Sequence, residues 1–161
     1  MVEGTIERQR AAWPGRTDAL RPKIGRARFV LIATAGWTGA CDLIVKLIEP
    51  TETGLYHKRT NFDLILILAI SAIVIYVVPF TRSRVAIAGA GLMVGGALGN
   101  ALSIAVFPLG VPNPITIARG DWTIAFNLAD IAVVVGLLIT TIGVLGLAID
   151  RRYELRRPIE H

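Results

Sequence analysis

Four long apolar runs, Phe29–Ile48, Phe62–Phe80, Val85–Phe107 and Ile124–Ile149, constrain this chain more than anything else in it. Each is about twenty residues or more, enough at 1.5 Å per residue to cross a hydrocarbon core of roughly 30 Å. In lipid such runs have to be helices, because nothing in the bilayer core can satisfy an open backbone. The sequence predicts an all-α integral membrane protein with four transmembrane helices and short loops. A chain 53% hydrophobic and only 18% charged is too apolar for an ordinary soluble domain.

Charge then orients the helices. Four crossings put both termini on one side, together with Arg28, Arg82, Arg84, Arg151, Arg152, Arg156 and Arg157. The opposite loops hold Lys58, Arg59 and Arg119, set against Glu49, Glu52 and Asp121. Cations accumulate on the cytoplasmic side, so both termini are read as cytoplasmic and the loops at 49–61 and 108–123 as extracytoplasmic. The same bias explains the net charge of +5. No basic patch is interleaved with aromatics, which argues against nucleic acid. The expected organisation is a basic cytoplasmic tail over 1–27, a membrane domain over 28–149 and a second basic tail over 150–161. Membrane lipids are the expected surroundings, with the first tail attracted to anionic headgroups.

Polar residues inside the runs are the next signal. A carboxylate at mid-bilayer costs roughly 2.5–3.5 kcal/mol on insertion scales, so such groups usually face a bundle interior. Asp42 and Lys46 lie one turn apart in the first run. Asn100 lies in the third, and Asn127 and Asp130 lie near the start of the fourth, three residues apart and so on one face of a helix. With the orientation above, all five fall roughly 5–10 Å below the outer interface. They predict a shared polar pocket, or a self-satisfied network that fixes helix register. Gly91, Gly95 and Gly99 recur every four residues in the third run and predict close packing against another helix.

Few chemistries suit these residues. His57 and His161 are remote from any nucleophile, no cluster has metal-ligand spacing, and no glycine loop is placed to cradle a phosphate. Neither metal nor cofactor is expected. Cys41 is alone and reads as a buried thiol. Thr38-Gly39-Ala40-Cys41 faintly resembles a lipidation box, but apolarity continues past it to Ile48. Two carboxylates sharing a water would suit aspartic-protease chemistry, although Lys46 is placed to claim Asp42. A proton or ion relay through Asp42, Lys46 and Asp130 is a further reading.

Several motifs together resemble the type II (lipoprotein) signal peptidases. They are Asp42-x-x-x-Lys46, Gly95-Gly96-Ala97-Leu98-Gly99-Asn100, Gly110-Val111-Pro112-Asn113 and Phe126-Asn127-Leu128-Ala129-Asp130, in order, over about 28–149. The resemblance implies the bacterial inner membrane and an intramembrane aspartic peptidase frame. That family cuts signal peptides before a diacylglyceryl-cysteine with two aspartates at the outer face. Its second catalytic aspartate corresponds to Asp130.

Its first catalytic aspartate corresponds to Asn113, in Val111-Pro112-Asn113-Pro114-Ile115. The family's Asp-Arg pair becomes Ser103-Ile104, and the glutamine after the first-helix aspartate becomes Leu43. The 49–61 loop is short for the family's small extracytoplasmic sheet. An amide cannot exchange the proton that peptide hydrolysis needs. The expectation is a non-catalytic relative that binds a lipoprotein signal-peptide helix, another membrane helix or further subunits. The alternative is an active aspartic endopeptidase with an altered dyad.

Overall fold

A computed structural model describes residues 21–155; the expected tails, apart from the parts noted below, lie outside the described residues. Four helices form the bundle: α1 (Arg21–Ile48), α2 (Asn61–Val77), α3 (Arg84–Val106) and α4 (Leu128–Leu155). All four are long and apolar enough to cross a membrane. The protein is a multi-pass membrane protein, and its exposed apolar side chains, among them Phe62, Ile65, Ile73 and Ile142, form the lipid-facing surface.

Two helix boundaries differ from the apolar runs at the tail ends. α1 starts at Arg21 rather than Phe29, and α4 continues past Ile149 to Leu155. At 1.5 Å per residue each 28-residue helix is ~42 Å long, so both extend beyond the hydrocarbon core. Local chemistry sets the other ends. Thr60 accepts from the Asp63 amide and Asp63 accepts from the Thr60 amide, a reciprocal cap that starts α2. Pro79 sits in a 3-10 turn over Val78–Thr81 that ends it. Arg82 then takes a left-handed φ of 59°, and Ser83 caps α3 by accepting from the Ala86 amide.

α3 is the centre of the bundle, and its glycines make it so. On one side Gly91 meets Thr34 and Leu31, Gly95 meets Ala35 and Thr38, and Gly99 meets Gly39 and Asp42, all on α1. On the other side Gly89 meets Thr140 and Gly136, and Gly96 meets Ala129 and Val133, all on α4. A β-carbon at Gly95 would stand 2.5 Å from the Ala35 carbonyl oxygen, so the backbones approach too closely for any side chain. The partner of the glycine stripe is therefore internal, and α4 uses the opposite face of the same helix. α2 packs at the edge, where Val74, Ile75 and Val78 cover Leu31, Ile87 and Ala90.

The loops at one end hold more structure than their length suggested. Tyr56–His57 (β1) pairs antiparallel with Val111–Pro112 (β2), and Ile115–Arg119 (β3) pairs with Trp122–Phe126 (β4) as a hairpin. Gly110 makes the first pairing possible: its φ is +114°, and a β-carbon there would lie 2.7 Å from the His57 carbonyl oxygen. The hairpin corrects the fourth run. Ile124–Phe126 is strand, Asn127 lies outside the helix, and α4 begins only at Leu128. Periodicity cannot separate a short apolar strand from the first turn of a buried helix, so the run read as continuous.

Candidate functional site

Asp42 and Lys46 face α3 from α1, both side chains fully sealed, with Lys46 Nζ donating to Asp42 Oδ2 at 2.6 Å. Lys46 also donates to Asn100 Oδ1 at 2.8 Å and to Ser103 Oγ at 3.0 Å. An ammonium has three donors, so these partners saturate it. Asn100 and Ser103 are three apart on α3 and share a face. The Ser103 hydroxyl in turn donates to the Gly99 carbonyl at 2.8 Å. As a departure from a motif Ser103 carried no predicted role; its spacing from Asn100 was the available signal.

The second oxygen of Asp42 does something the sequence did not reveal. Asp42 Oδ1 accepts from the Ala129 amide at 2.8 Å, in the first turn of α4. The first four amides of a helix have no partner within it, and the helix dipole makes that end positive. A carboxylate from α1 therefore caps α4 across the bundle, while the same group neutralises Lys46.

Asn127 and Asp130 complete the cap. Asn127 Oδ1 accepts from the Asp130 amide at 3.0 Å, and Asp130 Oδ2 accepts from the Asn127 amide at 3.2 Å. This is the reciprocal arrangement of a capping box, with Asn and Asp in the two roles. Asp130 is thus in the first turn of α4, not two turns into a helix begun at Ile124, and the pair does not share a helical face. The other Asp130 oxygen, Oδ1, accepts from Asn100 Nδ2 at 2.9 Å. Asn127 Nδ2 donates to the Pro112 carbonyl at 3.2 Å and to Asn113 Oδ1 at 2.7 Å.

Asp42, Lys46, Asn100, Asp130, Asn127 and Asn113 therefore form one hydrogen-bonded series across α1, α3, the start of α4 and the residue after β2, joined between Asp130 and Asn127 through their backbone amides. Asp42, Lys46, Asn100 and Asn127 are each less than 5% exposed; Asp130 and Asn113 are half-buried. Gly91, Gly95 and Gly99 lie behind the network and set how closely α1 and α3 approach. Among the described residues, no group of three His, Cys, Asp or Glu side chains is placed to hold a metal ion.

The arrangement limits the chemistry. Carboxylate-dyad hydrolysis needs two carboxyls on one water, one protonated and one ionised. Both oxygens of Asp42 are engaged inside the bundle, and Asn113 offers an amide beside Asn127. Asp121, the loop carboxylate, lies away from both. The hairpin register runs from Ile115↔Phe126 at the base to Arg119↔Trp122 at the tip, and Asp121 is exposed in the turn beyond. Four steps of about 3.4 Å put that tip ~14 Å from the base, where Asn113 and Asp130 lie.

Residues 50–146 match the family model for signal peptidase (SPase) II. The chain is also 33% identical over 127 residues to a lipoprotein signal peptidase from Methylorubrum extorquens (strain PA1), covering 74% of this chain and 70% of that protein. A solved structure described as a bacterial membrane enzyme, determined by the in meso method at 2.3 Å resolution, superposes with a TM-score of 0.56 at 16% identity. It covers 81% of this chain and 93% of its own. At that identity the likeness concerns the fold.

Proposed function

The chain belongs to the type II signal peptidase family, whose members are bacterial inner-membrane proteins, and from that premise we propose that it is a non-catalytic member. It binds a lipoprotein signal-peptide helix or another lipidated or membrane-spanning segment, or serves as an accessory subunit of a membrane complex. One observation carries this reading: Asn113, which the resemblance matches to the first dyad aspartate, is an amide bonded to Asn127. Asp130, at the second dyad position, has both oxygens engaged, one by the α4 cap and one by Asn100. A single carboxylate beside an amide cannot divide the roles of acid and base.

A place for an apolar helix supports the binding half of the reading. A groove of about 390 Å³ runs along α1 and α3 beside the network, lined by Gly36, Gly39, Ala40, Leu43, Leu98 and Leu102 among others. Small residues there let a second backbone come close. The competing reading, an active lipoprotein signal peptidase with an altered dyad, is favoured by the 33% identity to a protein of that description and by the retention of Asp130.

The test uses the full chain in lipid and a diacylglyceryl-modified prolipoprotein carrying a photo-crosslinker in its signal helix. We expect crosslinks to Gly36–Leu43 and an intact substrate. Lack of crosslinking would remove the signal helix as a partner and leave the subunit role.

A further inference from the structure

The end of the bundle opposite the polar network holds a second cavity, of about 660 Å³, between α1, the 3-10 turn after α2 and the start of α3. Lys23 and Arg26 of α1, Arg82 of the turn and Arg84 of α3 line it, over apolar walls that include Pro79 and Ile87. Among the described residues, its lining has four cations and no carboxylate. Cations are common at cytoplasmic helix ends, but these come from three separate segments and converge on one hollow.

Like charges gathered around a partly apolar cavity repel one another unless an anion sits among them. Other features of the hollow favour an anion too. The start of α3 faces this end, and its 23-residue dipole is positive there. Arg82 holds a left-handed backbone, which disfavours residues other than glycine, asparagine and aspartate, yet an arginine occupies it and lines the cavity. The neighbouring Arg28 is used differently. Its guanidinium stacks over the rings of Tyr76 and Phe80 at 5.2 and 5.5 Å and holds α1 to the end of α2, so it braces the wall of the hollow.

We infer that this cleft binds the phosphate headgroup of an anionic phospholipid. The lipid, rather than free phosphate, follows from the apolar part of the lining, Ala27, Val30, Pro79 and Ile87, and from its neighbours in the chain. Phe29, Phe80 and Val85, each next to a lining residue, are 72%, 48% and 50% exposed, so acyl chains would continue from the headgroup to the apolar belt of the bundle. The occupant is held by charge at one end and by hydrocarbon at the other.

The test is native mass spectrometry of the full chain in mild detergent, titrated separately with cardiolipin, phosphatidylcholine and inorganic phosphate. We expect cardiolipin adducts to be retained and the other two to be lost. The variant Arg26→Gln/Arg82→Gln/Arg84→Gln should weaken cardiolipin binding about a hundredfold (about 2.8 kcal/mol), the size expected of three surface cations. Arg151→Gln/Arg152→Gln removes two exposed charges at the same end of the bundle, outside the cleft, and should leave it unchanged. Arg84→Gln alone should act in the same direction as the triple variant, and answers the question if the latter does not fold. Equal loss in the Arg151/Arg152 control, equal retention of phosphatidylcholine, or competition by inorganic phosphate at matched concentration would overturn the assignment.

Discussion

The Asp42 carboxylate accepts from two directions, from Lys46 on its own helix and from the Ala129 amide at the start of α4. Removing it strips a buried ammonium of its counter-ion and uncaps a helix in one step. Breaking a buried pair from one side typically costs about 3–5 kcal/mol. Asp42→Ala should therefore lower the thermal stability in detergent by more than Asp130→Ala, which leaves the buried Asn100 amide without its acceptor at a cost of about 1–3 kcal/mol. The double variant Asp42→Asn/Lys46→Met keeps an acceptor for Ala129 and removes the stranded charge, so it should recover part of the loss. No recovery would mean that the ion pair is not what makes Asp42 costly to remove. At this scale the sequence was informative where spacing decides contact: Asp42 and Lys46 are one helical turn apart. It was silent on the Asp42–Ala129 bond, because an amide donor has no side-chain signature and the two residues are brought together only by the bundle. Asp130 was conspicuous as a charge in an apolar run, but its capping partnership depends on a helix boundary that the run concealed.

Helix α3 packs through glycine on two faces, and that can be tested by restoring single methyl groups. Gly95→Ala puts a carbon 2.5 Å from the Ala35 carbonyl oxygen, while Gly146→Ala on α4 meets nothing within 4 Å. Overpacking of that kind typically costs about 1–3 kcal/mol. Alanine in place of an unhindered helical glycine gains roughly 0.5–1 kcal/mol. The two variants should shift the melting temperature in opposite directions, and equal shifts would contradict the close α1–α3 approach. The stripe Gly91, Gly95, Gly99 was visible as a pattern in the chain, whereas the second face, Gly89 and Gly96 toward α4, has no regular repeat to betray it. The hairpin was hidden for another reason. Its apolar residues Ile117, Trp122 and Ile124 are exposed, and β4 runs directly into α4, so composition merged strand and helix. Gly120, with its φ of +61°, forms the turn at the hairpin tip.

At the scale of the whole molecule, arginine distribution orients the bundle, and the polar network and the basic cleft then face opposite sides of the membrane. In a Cys41→Ala background, a cysteine at Thr53 should react with an impermeant reagent applied from outside intact cells, and one at Ser83 should not; the reverse pattern would invert the molecule and remove the cleft from the cytoplasmic leaflet. The four-helix plan was legible because hydrocarbon thickness fixes run length. The partner was not, because the groove proposed to receive it, lined with Gly36, Gly39 and Ala40 among others, is apolar like any lipid-facing surface. On the function proposed above, Asn113 leaves this member of the family unable to cut. The most direct measurement is product formation from a diacylglyceryl-modified prolipoprotein by the wild-type protein in lipid, beside Asn113→Asp and Asp130→Asn. We expect no product from wild type and little from Asn113→Asp, because Pro114 restricts the backbone of the residue before it and a misplacement of about 1 Å can cost on the order of a hundredfold in rate. Cleavage by the wild-type protein that Asp130→Asn abolishes would contradict the claim and make this chain an active peptidase.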